Sequence, residues 1–168
     1  MDLNGWANVA EIFGTVTIVA GLAFGAVQLS EFRRQRLDAV AGELMRSFYD
    51  ADFGAAIARL QRVDDGLTRD QLTTLGPEYL EAAIKSCLTF ETFGLLVYRR
   101  IAPFDLTVEL CGGLVQVHWR KLERYVMTTR EDENHASFAE WFQWLAEVSA
   151  RYKSNALPAY QRGKDWKP

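Results

Sequence analysis

The stretch IFGTVTIVAGLAFGAVQLS, Ile12 to Ser30, decides the reading of this chain. Its 19 residues carry no charge, and the flanking ionisable groups are Glu11 and Glu31. At ~1.5 Å of rise per residue a helix of this length spans roughly 28 Å, close to the ~30 Å hydrocarbon core of a bilayer. A helix also satisfies its own backbone donors and acceptors, as a segment must where there is no water. Arg33-Arg34-Gln35-Arg36 follows at once, whereas Asp2 and Glu11 stand before the run and no Lys or Arg precedes Arg33. The positive-inside bias then predicts an N-terminus outside and a C-terminal domain in the cytoplasm.

Two other readings compete. A cleaved signal peptide wants basic residues ahead of its apolar stretch, and here they fall behind it. A buried helix of a soluble core usually keeps one polar stripe toward water. In this run Phe13, Val16, Ile18, Val19, Leu22, Phe24, Val27 and Leu29 cover every side, although Thr15, Thr17 and Gln28 soften it. A membrane anchor fits best.

Outward from the anchor, the remainder of the 168 residues suits one domain of ordinary size. A net charge of −3 argues against a nucleic-acid partner, which would need a basic face. The only basic cluster is Arg33, Arg34 and Arg36, whose expected role is topology and contact with phospholipid headgroups. Cys87 and Cys111 lack CxxC spacing and read as reduced core residues in a cytoplasmic domain.

The spacing predicts an all-α chain: an anchor over 1–30, a cytoplasmic domain of about five helices over 31–153, and a tail over 154–168. The first helix continues from about Trp6 to Asp50, with Asp52 as the N-cap of a helix over 53–63. Thr68 caps a short turn ended by Gly76, and Pro77 opens a helix to about Arg99. That helix presents Leu80, Ile84, Cys87, Leu88, Glu91, Leu95 and Tyr98 as its buried stripe. Pro103 opens a short helix closed by Gly112-Gly113, followed by one over 114–129 that buries Val115, His118, Leu122 and Val126. Ser137 or Asn134 caps a last helix to Lys153, with Phe138, Trp141, Phe142, Leu145, Val148 and Tyr152 inward. No segment alternates with period two, so strands are not expected.

Phe90 to Val126, FETFGLLVYRRIAPFDLTVELCGGLVQVHWRKLERYV, carries an aromatic–acidic pair before Gly94-Leu95-Leu96-Val97, two basic residues, an Asp-Leu-x-x-Glu turn and Trp119 followed by Arg120. With the N-terminal apolar run and its basic flank, this resembles an uncharacterised bacterial family of single-pass membrane-anchored helical proteins, a domain of unknown function, over roughly residues 6–152. The resemblance implies a helical fold and a place in the bacterial inner membrane. It brings no activity or ligand with it.

Candidate sites follow from the same residues. Gly14, Thr17, Gly21 and Gly25 share one face of the anchor, and small residues let helix backbones approach inside lipid. Glu91, on an apolar stripe, needs a partner because an isolated buried charge is costly; Arg120, Arg124 and His118 are the candidates. His118 is expected in the core and His135 in solvent. Trp144, beside a buried stripe, and Tyr160 and Trp166 in the basic tail are candidate docking residues. Catalytic, cofactor and metal sets are not expected: no Ser/His/Asp group, no phosphate loop and no ligand-spaced His and Cys occur.

The function expected is therefore that of a non-enzymatic, single-pass, membrane-anchored interaction protein, an accessory or assembly subunit of an inner-membrane complex. Its partners would be other membrane proteins or itself, through the anchor. The alternative is a homo-oligomeric membrane effector or pore, with Thr15, Thr17 and Gln28 facing the centre.

Overall fold

The computed structural model describes residues 3–132, 134–154 and 157–167, with side chains from Phe13 onward apart from Asp38, Met45, Tyr49 and Ser154. Asp2, counted above among the acidic residues before the apolar run, lies outside them. Among the described residues there are seven helices and no strand: α1 (Leu3–Tyr49), α2 (Ala51–Leu60), α3 (Arg69–Leu75), α4 (Pro77–Tyr98), α5 (Phe104–Asp132), α6 (Glu140–Ser154) and α7 (Ala159–Arg162). The chain divides into two packing units at Ala39/Val40, within α1.

In the first unit α1 carries the uncharged run with its side chains outward: Phe13 is 70% and Leu22 71% exposed. In the second, Leu44 is buried, and the Phe48 ring lies 5.9 Å from Phe53 and 5.7 Å from Phe93. The turn into α2 is capped by Asp50, not Asp52 as the sequence suggested. The Asp50 carboxylate accepts the Phe53 N–H at 2.7 Å and pairs with Lys85 at 3.2 Å. Both contacts favour the charged form and lower its pKa, the Phe53 amide most. An N-cap accepts from an amide two or three residues on, and Asp52 already lies in the first turn of α2. Thr68 caps α3 through a capping box with Gln71, and Pro77 occupies the first position of α4, both as expected.

The second unit is built around α4, which packs against α2, α3, α5 and α6. Its inward face is Ala83, Ser86, Cys87, Phe90, Phe93, Gly94 and Val97. Of the predicted stripe, Cys87 is buried and Leu80 packs against the core, but Ile84, Leu88, Leu95 and Tyr98 are exposed. Apolar residues of α4 fall on more than one side, so periodicity did not choose a face. Packing did, by turning the two phenylalanines and the small residues inward, where neighbouring helices can come close. Phe90 is the hub. Its ring stacks on Phe142 of α6 at 4.9 Å and meets Phe53 of α2 at 5.6 Å and His118 of α5 at 5.7 Å.

The predicted break at Gly112-Gly113 is also corrected, because α5 runs through it without interruption. A Cβ on Gly112 would stand 2.8 Å from Val108 Cγ1 and 3.3 Å from Lys153 Cε. The glycine therefore makes room for the Lys153 stem at the end of α6 and does not terminate a helix. The inward stripe of α5 is as predicted: Val115, His118, Leu122 and Val126 are all buried. On α6 Phe142 and Leu145 are buried with Ala146 and Ser149, while Tyr152 stays exposed against Phe104.

Candidate functional site

The feature with the plainest physical consequence is the N-terminal half of α1. Among the described residues one helix is apolar and long enough to cross a membrane, and within its most apolar window no residue is buried. Gly14, Gly21 and Gly25 have nothing within 4 Å of where a Cβ would be, so this face is open to another helix. Thr17 lies on the same face, and its hydroxyl donates to the Phe13 carbonyl at 2.8 Å. Ser30 does the same to Val27 at 2.8 Å. Such back-bonding satisfies the hydroxyls within the helix itself. Arg33, Arg34 and Arg36 are exposed further along α1.

Glu91 finds a different partner from those expected. Its Oε2 accepts the Phe142 N–H at 2.8 Å, in the first turn of α6. The first amides of any helix lack acceptors within it, so a carboxyl oxygen from another helix serves as their cap. Burial raises the Glu91 pKa, opposed by the Phe142 and Trp141 amides. One turn along α4, Gly94 leaves room for the Trp141 backbone. Glu91 and Gly94 thus form one seat for the start of α6. Among the described residues before α6 none gives a comparable cap: Ala139 has a φ of 55°, and the Ser137 carbonyl accepts the Glu140 N–H at 3.3 Å.

His118 is 0% exposed. Its Nδ1–H donates to the Leu114 carbonyl at 3.0 Å, which fixes the neutral tautomer because a carbonyl can only accept. Burial lowers its pKa. His135 is exposed, as expected. Cys87 and Cys111 are free and buried; burial pushes both thiols up, Cys111 to about 12. Groups enclosed in this way meet no substrate while the domain stays closed.

Two cations missed in the sequence act as clips. Lys121 is buried, and its Nζ donates to the Val63 carbonyl at 2.6 Å and pairs with Asp65 at 3.1 Å, tying the α2–α3 loop to α5. Arg130 donates through Nε to the Phe138 carbonyl at 2.8 Å and through Nη1 to Gln143 at 2.8 Å, closing the α5–α6 turn. Nothing in their spacing marks them, since the Val63 and Phe138 carbonyls they bind lie on irregular backbone.

The docking candidates fall in different settings. Trp144 is half-buried in a cluster with Tyr98 and Trp141, at 5.7 and 6.2 Å. Tyr160 and Trp166 are 77% and 76% exposed, and Arg162 between them pairs with Glu109 at 2.6 Å. An open groove of about 430 Å³ lies between the end of α1 and α4, beside Leu88 and Phe93. Its charges are matched in pairs, Arg46 with Glu43 at 3.0 Å and Lys85 with Asp50. Among the described residues no three His, Cys, Asp or Glu side chains are grouped to hold a metal ion.

A family model described as a domain of unknown function, DUF4760, matches residues 15–149, and the chain belongs to that family. No curated protein and no solved structure matches the chain.

Proposed function

We propose that this DUF4760 protein is a non-enzymatic interaction protein held by α1 in a bacterial inner membrane, as an accessory or assembly subunit of a larger complex. The observation that carries the reading is the uncharged run of α1, whose side chains all face outward and which Arg33, Arg34 and Arg36 follow. Eight large apolar side chains exposed between Phe13 and Leu29 would be costly in water at about 25 cal/mol per Å² of apolar surface, and a bilayer removes that cost. In this reading the positive-inside bias of the arginines favours a cytoplasmic helical domain and an outer N-terminus, with their guanidinium groups at the headgroups.

Partners meet the anchor through Gly14, Thr17, Gly21 and Gly25, where close backbone packing supplies the attraction that hydrophobicity cannot provide in lipid. The enclosure of His118, Cys87 and Cys111 supports a binding role over a catalytic one. A pore is the weaker reading, because Thr17 already spends its hydroxyl on its own helix. A reporter fused to the C-terminus tests the arrangement: it should be active only as a cytoplasmic fusion, and periplasmic activity overturns the orientation. Neutralising Arg33, Arg34 and Arg36 together should mix the two orientations.

A further inference from the structure

The outward face of α4 is apolar in its middle and oppositely charged at its ends. Glu81, Ile84, Leu88, Thr92, Leu95 and Arg99 follow each other at intervals of three and four, so they share one face of the helix, over about 27 Å. All six are exposed, and Leu88 is 58% so. Ile84, Leu88 and Leu95 thus leave apolar surface exposed between the charged ends. Among the described residues neither Glu81 nor Arg99 has an ion-pair partner in its own chain.

We propose that this face pairs antiparallel with the same face of a second copy, across a two-fold axis near position 90. The charge pattern selects that occupant. About position 90, Glu81 falls opposite Arg99 of the second copy and Leu88 opposite its Thr92, while Ile84 and Leu95 meet across the axis. A parallel pairing would set Glu81 against Glu81 and Arg99 against Arg99, which costs energy in place of gaining it. Self-complementarity about an axis is what a two-fold contact demands, since each patch must serve as both halves. One helix pair buries less than a standard interface of ~1,600 Å², so the contact is weak in dilute solution. Confinement of both copies to one membrane raises their effective concentration and makes it sufficient.

The inference names one partner for the interaction protein proposed above and rests on that reading for its strength. The test uses the full chain in lipid nanodiscs and in mild detergent, in a Gly21→Ile/Gly25→Ile background that removes any contribution of the anchor face. Mass and self-association are measured for that chain and for Glu81→Arg, Arg99→Glu and the double reversal. Each single reversal should weaken self-association by about tenfold, and the double reversal should restore it, because the pair is rebuilt with its signs exchanged. Leu88→Glu should abolish it. Monomers throughout, or a double reversal no better than the single ones, overturn the proposal. Membrane extraction of the same samples is read separately. A chain that inserts yet stays monomeric loses the α4 contact and keeps the anchor; one that pairs without inserting loses the anchor alone.

Discussion

The backbone carbonyl of Trp141 lies inside the space that a Cβ on Gly94 would fill. No rotamer change relieves such a contact, because the obstacle is main chain and not the end of a flexible side chain. Gly94→Ala should therefore push α6 off α4 and cost about 1–3 kcal/mol, as overpacking does. Gly113→Ala is the matched control. Its Cβ would meet only Lys153 Nζ at 3.7 Å, and alanine is the better helix former by roughly 0.8–1 kcal/mol, so the variant should be as stable or more so. Urea midpoints of the two variants, measured together, check the contrast.

Glu91→Ala should cost about 0.5–2 kcal/mol, the range of a lost N-cap. Glu91→Gln keeps an acceptor oxygen and should cost less, and it also tests the charge. The folded-state pKa of Glu91 is raised above its ordinary 4.5, so its proton is held more tightly in the folded chain. Its contribution to stability is complete below 4.5 and is lost as pH rises through the folded value. Denaturation of Glu91→Gln should lack this loss between pH 4 and neutrality. An unchanged pH dependence would rule out Glu91 as its source.

His118 acts with the opposite sign. Burial depresses its pKa below the ordinary 6.5, so the unfolded chain takes up the proton first. Stability is full above pH 6.5 and falls as the pH drops below it, toward the folded value. The leucine variant His118→Leu cannot titrate there, and its stability should lose this acid-side slope, whatever its absolute value. Chemical denaturation of both proteins from pH 8 to pH 5 reads the difference directly.

In the anchor, Gly21→Ile and Gly25→Ile should disrupt association through that face and leave insertion intact. Both raise the hydrophobicity of the run while blocking close backbone approach. Alkaline extraction should retain the variants in the membrane. Partners or mass that stay unchanged on native gels would refute the packing face.

Much of the helical plan was legible in the residues. Thr68 with Gln71 and Pro77 after Gly76 are local signals that need only their neighbours, and α5 set His118 among Val115, Leu122 and Val126 at clean helical intervals. α4 was misread because its apolar residues fall on more than one side and only the shapes of other helices choose among them. Glu91 was misassigned for a related reason: its partner is an amide at the start of another helix, and amides are the same in every residue. Gly112-Gly113 looked like a stop because glycine marks helix ends, yet α5 runs through it, with Val108 and Lys153 packed close where a Cβ on Gly112 would stand.

The Glu91–Phe142 bond also bears on the order of events during synthesis. The two residues are 51 positions apart, so at ~5–20 residues per second the ribosome releases the carboxylate some seconds before the amide. α4 needs nothing from α6 to wind, since its own start is set by Pro77. Among the described residues α6 has no side-chain cap from its own flank, and it emerges into a nascent chain that already carries Glu91. The acceptor precedes the donor in time, and the last long helix is templated by an earlier one.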